Sequence, residues 1–248
     1  MATQIRHTKK QTEQYHAGIK KITLEPLQSA LTKRLAQSIE TAEFWQTAID
    51  QSFNDPEYLD SVDEKSDPLS TNYINNLSAW QEKKMKTQFQ QLFGMDVIPL
   101  LKNQETQGDL NTIITNNISL IKSIPSDLHE QVNEEYSKIL FTDGFDQQKI
   151  LKMLTQKFSV SNSRAKLIAV DQTGKTIGAL ASIRQAQVGV KKFIWRTVED
   201  EAVRPAHAAL DGEVFFWSAP PDIGIPGQPI RCRCVAEPFI EGISLEAA

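Results

Sequence analysis

The chain has 248 residues, of which 40% are hydrophobic and 23% charged, with 11 Gly and 11 Pro. These values are close to globular averages and exclude a disordered or collagen-like chain, and the length suffices to bury a core without staples. A net charge of −4 excludes a generally basic nucleic-acid binder. No stretch approaches the roughly 20 apolar residues of a membrane-spanning helix. The polar N-terminus does not resemble a secretory signal, so we expect a soluble cytosolic protein with reduced thiols and no membrane partner.

The N-terminal part of the chain begins with a polar segment and then becomes helical. Residues 1–22 show no sustained apolar period and are predicted to form a flexible arm. Apolar residues from Leu27 to Ile49 then recur in steps of three and four, which indicates an amphipathic helix. Residues 50–70 carry seven acidic side chains together with Pro56 and Pro68, and are predicted to form an acidic linker.

Helical periodicity continues beyond this linker. A second helical stretch covers 74–93, and further apolar stripes occupy 110–121, 128–140 and 150–158. Pro125 is expected to close the first of these stripes, and Gly144 to end the next. Residues 23–158 are therefore predicted to form one helical region.

The pattern changes in residues 159–248, which are predicted to form a small mixed module. A helix is expected through Arg164–Ile183, although Gly174 and Gly178 each weaken it by about 1 kcal/mol relative to alanine. Strands are predicted near 188–197, 214–217 and 230–236, with a proline-rich loop before the last. The predicted fold class is α+β: a mainly helical N-terminal region, then a mixed α/β module with short strands.

One group of residues in this module has the composition of a metal site. His207, Cys232 and Cys234 offer an imidazole and two thiolates, which suit zinc, but a fourth ligand is not evident. No cofactor is required by the sequence, and zinc is the one candidate. Two other interpretations remain open: both thiols pack beneath the loop, or a cysteine acts as a nucleophile with His207 as its base, favoured by Arg231 and Arg233.

A basic run extends from Arg164 to Arg196 and contains seven Lys and Arg residues but only one acidic residue, Asp171. Such a run suits nonspecific contact with a phosphate backbone, but equally a solvated helix face balanced by acids elsewhere. The candidate DNA contacts are Arg164, Lys166, Lys175, Arg184, Lys191 and Lys192.

The most specific pattern is "WRTVEDEAVRPAHAALDGEVFFW", followed by the proline-rich loop and "PIRCRC". This pattern resembles the phage head morphogenesis family, the Mu F-like minor head proteins, over about residues 110–240. Upstream, "LIAVDQTGK" and "SLIKSIP" are similar to the same family's preceding segments. The matching residues are Trp195, Arg196, Thr197, Asp200, Val203, Arg204, Pro205, His207, Leu210, Gly212, Pro229, Cys232, Arg233 and Cys234.

The resemblance implies a structural role rather than an enzymatic one. It implies a minor head protein at the portal vertex or in the capsid interior, acting in head assembly and in DNA packaging or delivery. The implied partners are the portal protein, the major capsid protein or both, with phage DNA as a further nonspecific partner. The implied location is the virion, and the bacterial host cytoplasm during assembly. The alternatives are a zinc- or thiol-dependent enzyme centred on His207, Cys232 and Cys234, and a nonspecific DNA-binding protein.

A polar cluster of Asp200, Arg204, His207 and Asp211 is predicted to support the fold of the module. Arg204 precedes Pro205 and is therefore held out of the helical conformation. We expect this turn to present the Arg204 guanidinium to the carboxylate of Asp200 or Asp211.

Overall fold

The computed structural model describes residues 2–36, 39, 41–101 and 103–241. Of the described residues, 72% are helical, and a small three-stranded antiparallel sheet lies near the C-terminal end, which confirms the predicted α+β class. The helices are α1 (Ala2–Thr23), α2 (Glu25–Leu35), α3 (Ala42–Phe53), α4 (Pro56–Phe93), α5 (Asn103–Asp143), α6 (Gln147–Gln187) and α7 (Pro205–Ala208). The strands are β1 (Lys192–Arg196), β2 (Val214–Phe216) and β3 (Val235–Phe239). None of the described helices contains an apolar stretch long enough to cross a membrane.

The described residues divide into two compact units. The helical unit comprises segments 13–71 and 115–169, and the strand-containing unit comprises the described residues of 1–12, 72–114 and 170–248. Helix α6 contributes to both units, which divide it at 169/170. The predicted boundary between 158 and 159 is therefore wrong, because it falls inside a continuous helix.

The predicted flexible arm is wrong for residues 2–22, since they belong to α1. In the helical unit, Tyr15 and Ile19 of this helix are almost fully buried. The Tyr15 hydroxyl donates a hydrogen bond to Asn117 Oδ1 of α5 at 3.1 Å. Part of the contact between α1 and α5 is therefore polar. The absence of a regular apolar period therefore hid a packed helix.

The predicted acidic linker over 50–70 is also helical. Asp50 lies in α3, and α4 starts at Pro56, where a proline costs nothing because the first helical N–H groups have no partner within the helix. Residues Tyr58, Val62, Ser66 and Ser70 are buried at four-residue spacing. The acidic side chains from 57 to 67 and Pro68 lie on the exposed positions between them. The acids therefore mark the solvent face of a helix rather than a hinge.

Helix α5 passes through Pro125 and continues to Asp143, so the predicted stop at Pro125 is wrong. Buried residues on both sides of the proline, Ile121, Ile124 and Leu128, are all 0% exposed and hold the helix in place. An interior proline costs about 3 kcal/mol, which this packing offsets. The predicted end at Gly144 is confirmed, because α5 ends one residue earlier and Gly144 has a φ of +73°.

The sheet of the strand-containing unit has β1 in the centre, with β2 and β3 antiparallel on either side. The strands predicted near 188–197 and 214–217 are confirmed as β1 and β2. The third strand begins at Val235 rather than at 230, because Arg231 has a φ of +57° and the Cys232 N–H donates to Pro229 O at 2.9 Å, which makes a turn. Phe193 and Trp195 of β1 form the core of this unit with both cysteines.

Candidate functional site

The strand-containing unit brings His207, Cys232 and Cys234 together as a buried cluster. The three residues are 5%, 5% and 7% exposed. His207 Nδ1 lies 3.4 Å from Cys234 Sγ and 3.5 Å from Cys232 Sγ. All three atoms that could bind a metal lie within 4.8 Å of one another. The sequence pattern thus identified residues that meet in space.

Local backbone geometry explains how this cluster forms. Pro205 occupies the first turn of α7 and leaves Arg204 extended, with φ −66° and ψ 143°. His207 then points inward, with its ring edge-on to Trp195 at 5.6 Å between centroids. Opposite it, Cys232 ends the turn over 229–232 and Cys234 directly precedes β3, and both thiols lie near Nδ1.

The two thiols differ in acidity. A hydrogen bond from the Cys234 thiol lowers the pKa of Cys232 to about 5 against the opposing effect of burial, and the Gly227 N–H donates to the same sulfur at 3.4 Å. The same thiol–thiol hydrogen bond, together with burial, raises the pKa of Cys234. The environment therefore favours the thiolate form on Cys232 over Cys234.

A cavity of about 450 Å³ adjoins the cluster. His207, Cys232 and Cys234 all line it, and so do three arginines, Arg204, Arg231 and Arg233. Guanidinium groups favour anionic and oxygen-rich ligands. The arrangement is chemically suited to a metal ion with one position open to the cavity, or to a thiolate facing a positively charged space.

Arg204 does not pair with Asp200 or Asp211, so that prediction is wrong. Its Nη2 donates to the carbonyl of Ile230, and its Nη1 lies 3.4 Å from His207 Nε2. The loop that carries Ile230 folds back over α7, so Arg204 meets a backbone carbonyl before any carboxylate.

The remaining acidic residues of the predicted cluster each have a separate partner. Asp200 accepts two hydrogen bonds of 2.6 Å from Arg233, and Asp211 accepts one of 2.7 Å from the Thr197 N–H. Sequence reasoning also missed Asp171, whose Oδ1 accepts from the Arg231 N–H at 3.1 Å. No spacing rule links α6 to a turn 60 residues away, so the sequence carried no signal for this contact.

Arg184 is not available as a DNA contact, which corrects the basic-run prediction. It is 3% exposed. Its guanidinium donates to Ser78 O and Ser78 Oγ, both at 2.8 Å, and to Gln81 Oε1. In sequence, this arginine looks like any other member of the run, because its partners lie about 100 residues earlier.

The other five candidate DNA contacts are at least partly exposed but do not form one uncompensated basic surface. Arg164 and Lys166 belong to the helical unit, and the remaining three to the strand-containing unit. Lys166 and Lys191 are exposed. The ion pairs of the others are Arg164 with Asp127, Lys175 with Asp171, and Lys192 with Glu241.

The Asp200–Arg233 pair predicts a pH-dependent contribution to stability. The hydrogen bond from Arg233 lowers the pKa of Asp200, so the pair stabilises the fold above the unfolded pKa of about 3.9 and loses its effect as the pH falls through the lower folded value. We expect Asp200→Asn to lower the denaturation midpoint at pH 7 slightly, and the difference from wild type to shrink toward zero below about pH 3.9. Urea denaturation at pH 7, 5 and 3 measures this.

The control for that experiment is Glu201→Gln, at the exposed neighbouring position. It should give the same small difference from wild type at every pH. A gap for Asp200→Asn that widened on acidification would contradict the assigned role of the pair.

Residues 131–237 match a protein-family model described as Phage Mu protein F like protein. This match lies inside the range of the resemblance described from the sequence and confirms it. It spans the last third of α5, all of α6, β1, α7 and β2, both cysteines and the start of β3. The chain is therefore similar to this family over that range.

A relative in Haemophilus influenzae, described only as an uncharacterized protein, is 28% identical over 179 residues. The match covers 71% of this chain and 40% of that protein, so the chain corresponds to about two fifths of its relative. No solved structure matches the chain.

Proposed function

We propose that the chain is a minor head protein that acts at the portal vertex or in the capsid interior, in head assembly and in the packaging or delivery of DNA. The observation that carries this proposal is the extent of the Mu F-like match. The match takes in nearly all of β1, β2 and β3, α7 and the buried cluster, rather than a short motif.

The burial of the signature residues supports a structural role. Trp195 is 0% exposed, Thr197 4% and His207 5%, and Asp200 binds Arg233 through both carboxylate oxygens. Side chains that fill a core or close a loop maintain a shape, and Trp195 and Thr197 are buried away from the cavity that His207 and both cysteines line. We therefore expect the residues of the matching pattern to hold the three-stranded sheet and the proline-rich loop together, as a surface for contact with other head proteins.

Deletion of the gene in a phage or prophage that carries it tests this function. We expect the deletion to abolish infectious particles, and wild-type protein supplied in trans to restore them. Mass spectrometry of restored heads should detect a few copies of the chain per particle. The proposal would be refuted if the deletion strain gave normal titres and the heads made with protein supplied in trans also lacked the chain.

Cross-linking of the restored heads distinguishes the two locations. Cross-links to the portal protein support the portal vertex, and cross-links to the major capsid protein support the capsid interior. DNA contact is a separate part of the proposal, and a gel-shift assay at increasing salt measures it, because binding to phosphates weakens steeply with salt. A chain that cross-links to neither head protein would contradict both locations.

A further inference from the structure

We propose that His207 Nδ1 and the Sγ atoms of Cys232 and Cys234 bind a zinc ion. In a tetrahedral site with Zn–S near 2.3 Å and Zn–N near 2.05 Å, the sulfur and nitrogen atoms lie about 3.6 Å apart. The two sulfur–nitrogen distances here are 3.4 Å and 3.5 Å. Both sulfur–nitrogen distances are therefore close to the edge length of a zinc tetrahedron, and all three atoms lie within 4.8 Å of one another.

A hydrogen bond from His207 Nδ1 satisfies only one of the two sulfur contacts of this nitrogen. One imidazole nitrogen carries either a single N–H or a single lone pair, so Nδ1 makes one good hydrogen bond. Two sulfur atoms nevertheless converge on it at nearly equal distances. A cation at the centre of the three atoms satisfies all of them at once.

The remaining coordination position faces the cavity of about 450 Å³. Among the described His, Cys, Asp and Glu residues, only these three form a group with metal-binding spacing at this place. Three protein ligands with an open fourth position are typical of zinc sites that also bind water or another oxygen ligand. Arg204, Arg231 and Arg233 at the same cavity would favour an anionic oxygen in that position.

Metal binding makes a definite demand on the protonation of His207. Coordination through Nδ1 places the imidazole proton on Nε2, so the 3.4 Å contact from Arg204 Nη1 to Nε2 must open. The second contact of Arg204, to the carbonyl of Ile230, is unaffected. The two thiolates and Zn²⁺ sum to zero charge, so the occupied site buries no net charge.

The test uses the full chain, purified after expression with added zinc. We expect elemental analysis to find about one zinc per chain. Cys232→Ser, Cys234→Ser and His207→Ala should each lower the zinc affinity by at least about 100-fold, since even outer-sphere changes cost 10- to 100-fold. His129→Ala, which removes a histidine of the helical unit that contacts Asp50, is the matched control and should keep the ion.

A second measurement covers variants that fail to fold. Wild-type protein stripped with a chelator and titrated with Co²⁺ should show thiolate-to-cobalt charge transfer and the intense visible bands of a tetrahedral site. Both thiols should resist alkylation until the metal is removed. Wild-type protein that holds no zinc and gives no charge-transfer band, or zinc that persists in all three ligand variants, would overturn the proposal.

Discussion

Gly178→Ala is expected to destabilise the protein, although the same change in an exposed helix stabilises it. A Cβ atom at Gly178 would overlap the carbonyl oxygen of Pro226, which belongs to the proline-rich loop lying against α6. Backbone cannot move aside as a flexible side chain does, so the loop must shift. We expect the free energy of unfolding to fall by about 1–3 kcal/mol, as it does in overpacked cores. In an exposed helix, replacing glycine by alanine instead raises it by about 1 kcal/mol.

Denaturant unfolding and thermal melting measure this effect, and each kcal/mol corresponds to about 2–4 °C in a chain of this size. Gly174→Ala should behave similarly, because its Cβ would lie 2.7 Å from Cys232 O. Gly108→Ala, in α5, is the matched control. An added Cβ atom there would have no neighbouring atom within 4 Å, so this variant should be more stable than wild type. If Gly178→Ala melts at or above the wild-type temperature, the loop does not pack against the helix as described.

These two glycines show where prediction from sequence stops. Periodicity correctly predicted a helix through Arg164–Ile183, and it counted the glycines as weaknesses in that helix. Their purpose became evident only with the loop in place, because a Cβ atom added at Gly227 would lie 3.4 Å from the Cα of Gly178. A helix signal depends on neighbours in sequence, whereas close approach depends on a segment about 50 residues later.

Prolines and acids misled the analysis for a related reason. Residues 50–70 have the composition of a linker, and Pro68 and Pro125 are residues that normally end helices. Near Pro68 the burial of Val62 and Ser66 outweighs that local preference. Near Pro125 the burial of Ile121 and Leu128 does the same. Tertiary burial therefore decided these helices, and composition alone could not reveal it.

The sequence predicted which residues form the candidate site, but it did not predict which partners the surrounding side chains contact. Imidazole and thiols are scarce enough in this chain that His207, Cys232 and Cys234 stood out, and the structure brings them together. The partners of the arginines were not predictable, because Arg204 binds the carbonyl of Ile230 and Arg233 binds Asp200, which lie 26 and 33 residues away in sequence. Residue type thus identified the chemistry, and backbone conformation determined the pairing.

Replacement of the buried Arg184 is expected to have a larger effect than that of any other residue in the basic run. Arg184→Ala would leave Ser78 O, Ser78 Oγ and Gln81 Oε1 without their donor in a site that excludes water. Breaking a buried charged network typically costs about 3–5 kcal/mol. Arg184→Lys should recover only part of this loss, because an ammonium group lacks the planar fork that serves both Ser78 acceptors.

Lys191→Ala is the control, since Lys191 is an exposed member of the same basic run and should change stability by less than about 0.5 kcal/mol. Urea unfolding measures all three variants, and a DNA gel shift on the folded fractions separates the two roles that a basic residue can have. A structural Arg184 lowers the unfolding midpoint and leaves the DNA affinity of folded protein unchanged. An Arg184→Ala variant with wild-type stability and weaker DNA binding would show instead that the guanidinium reaches solvent, which its burial against Ser78 argues against.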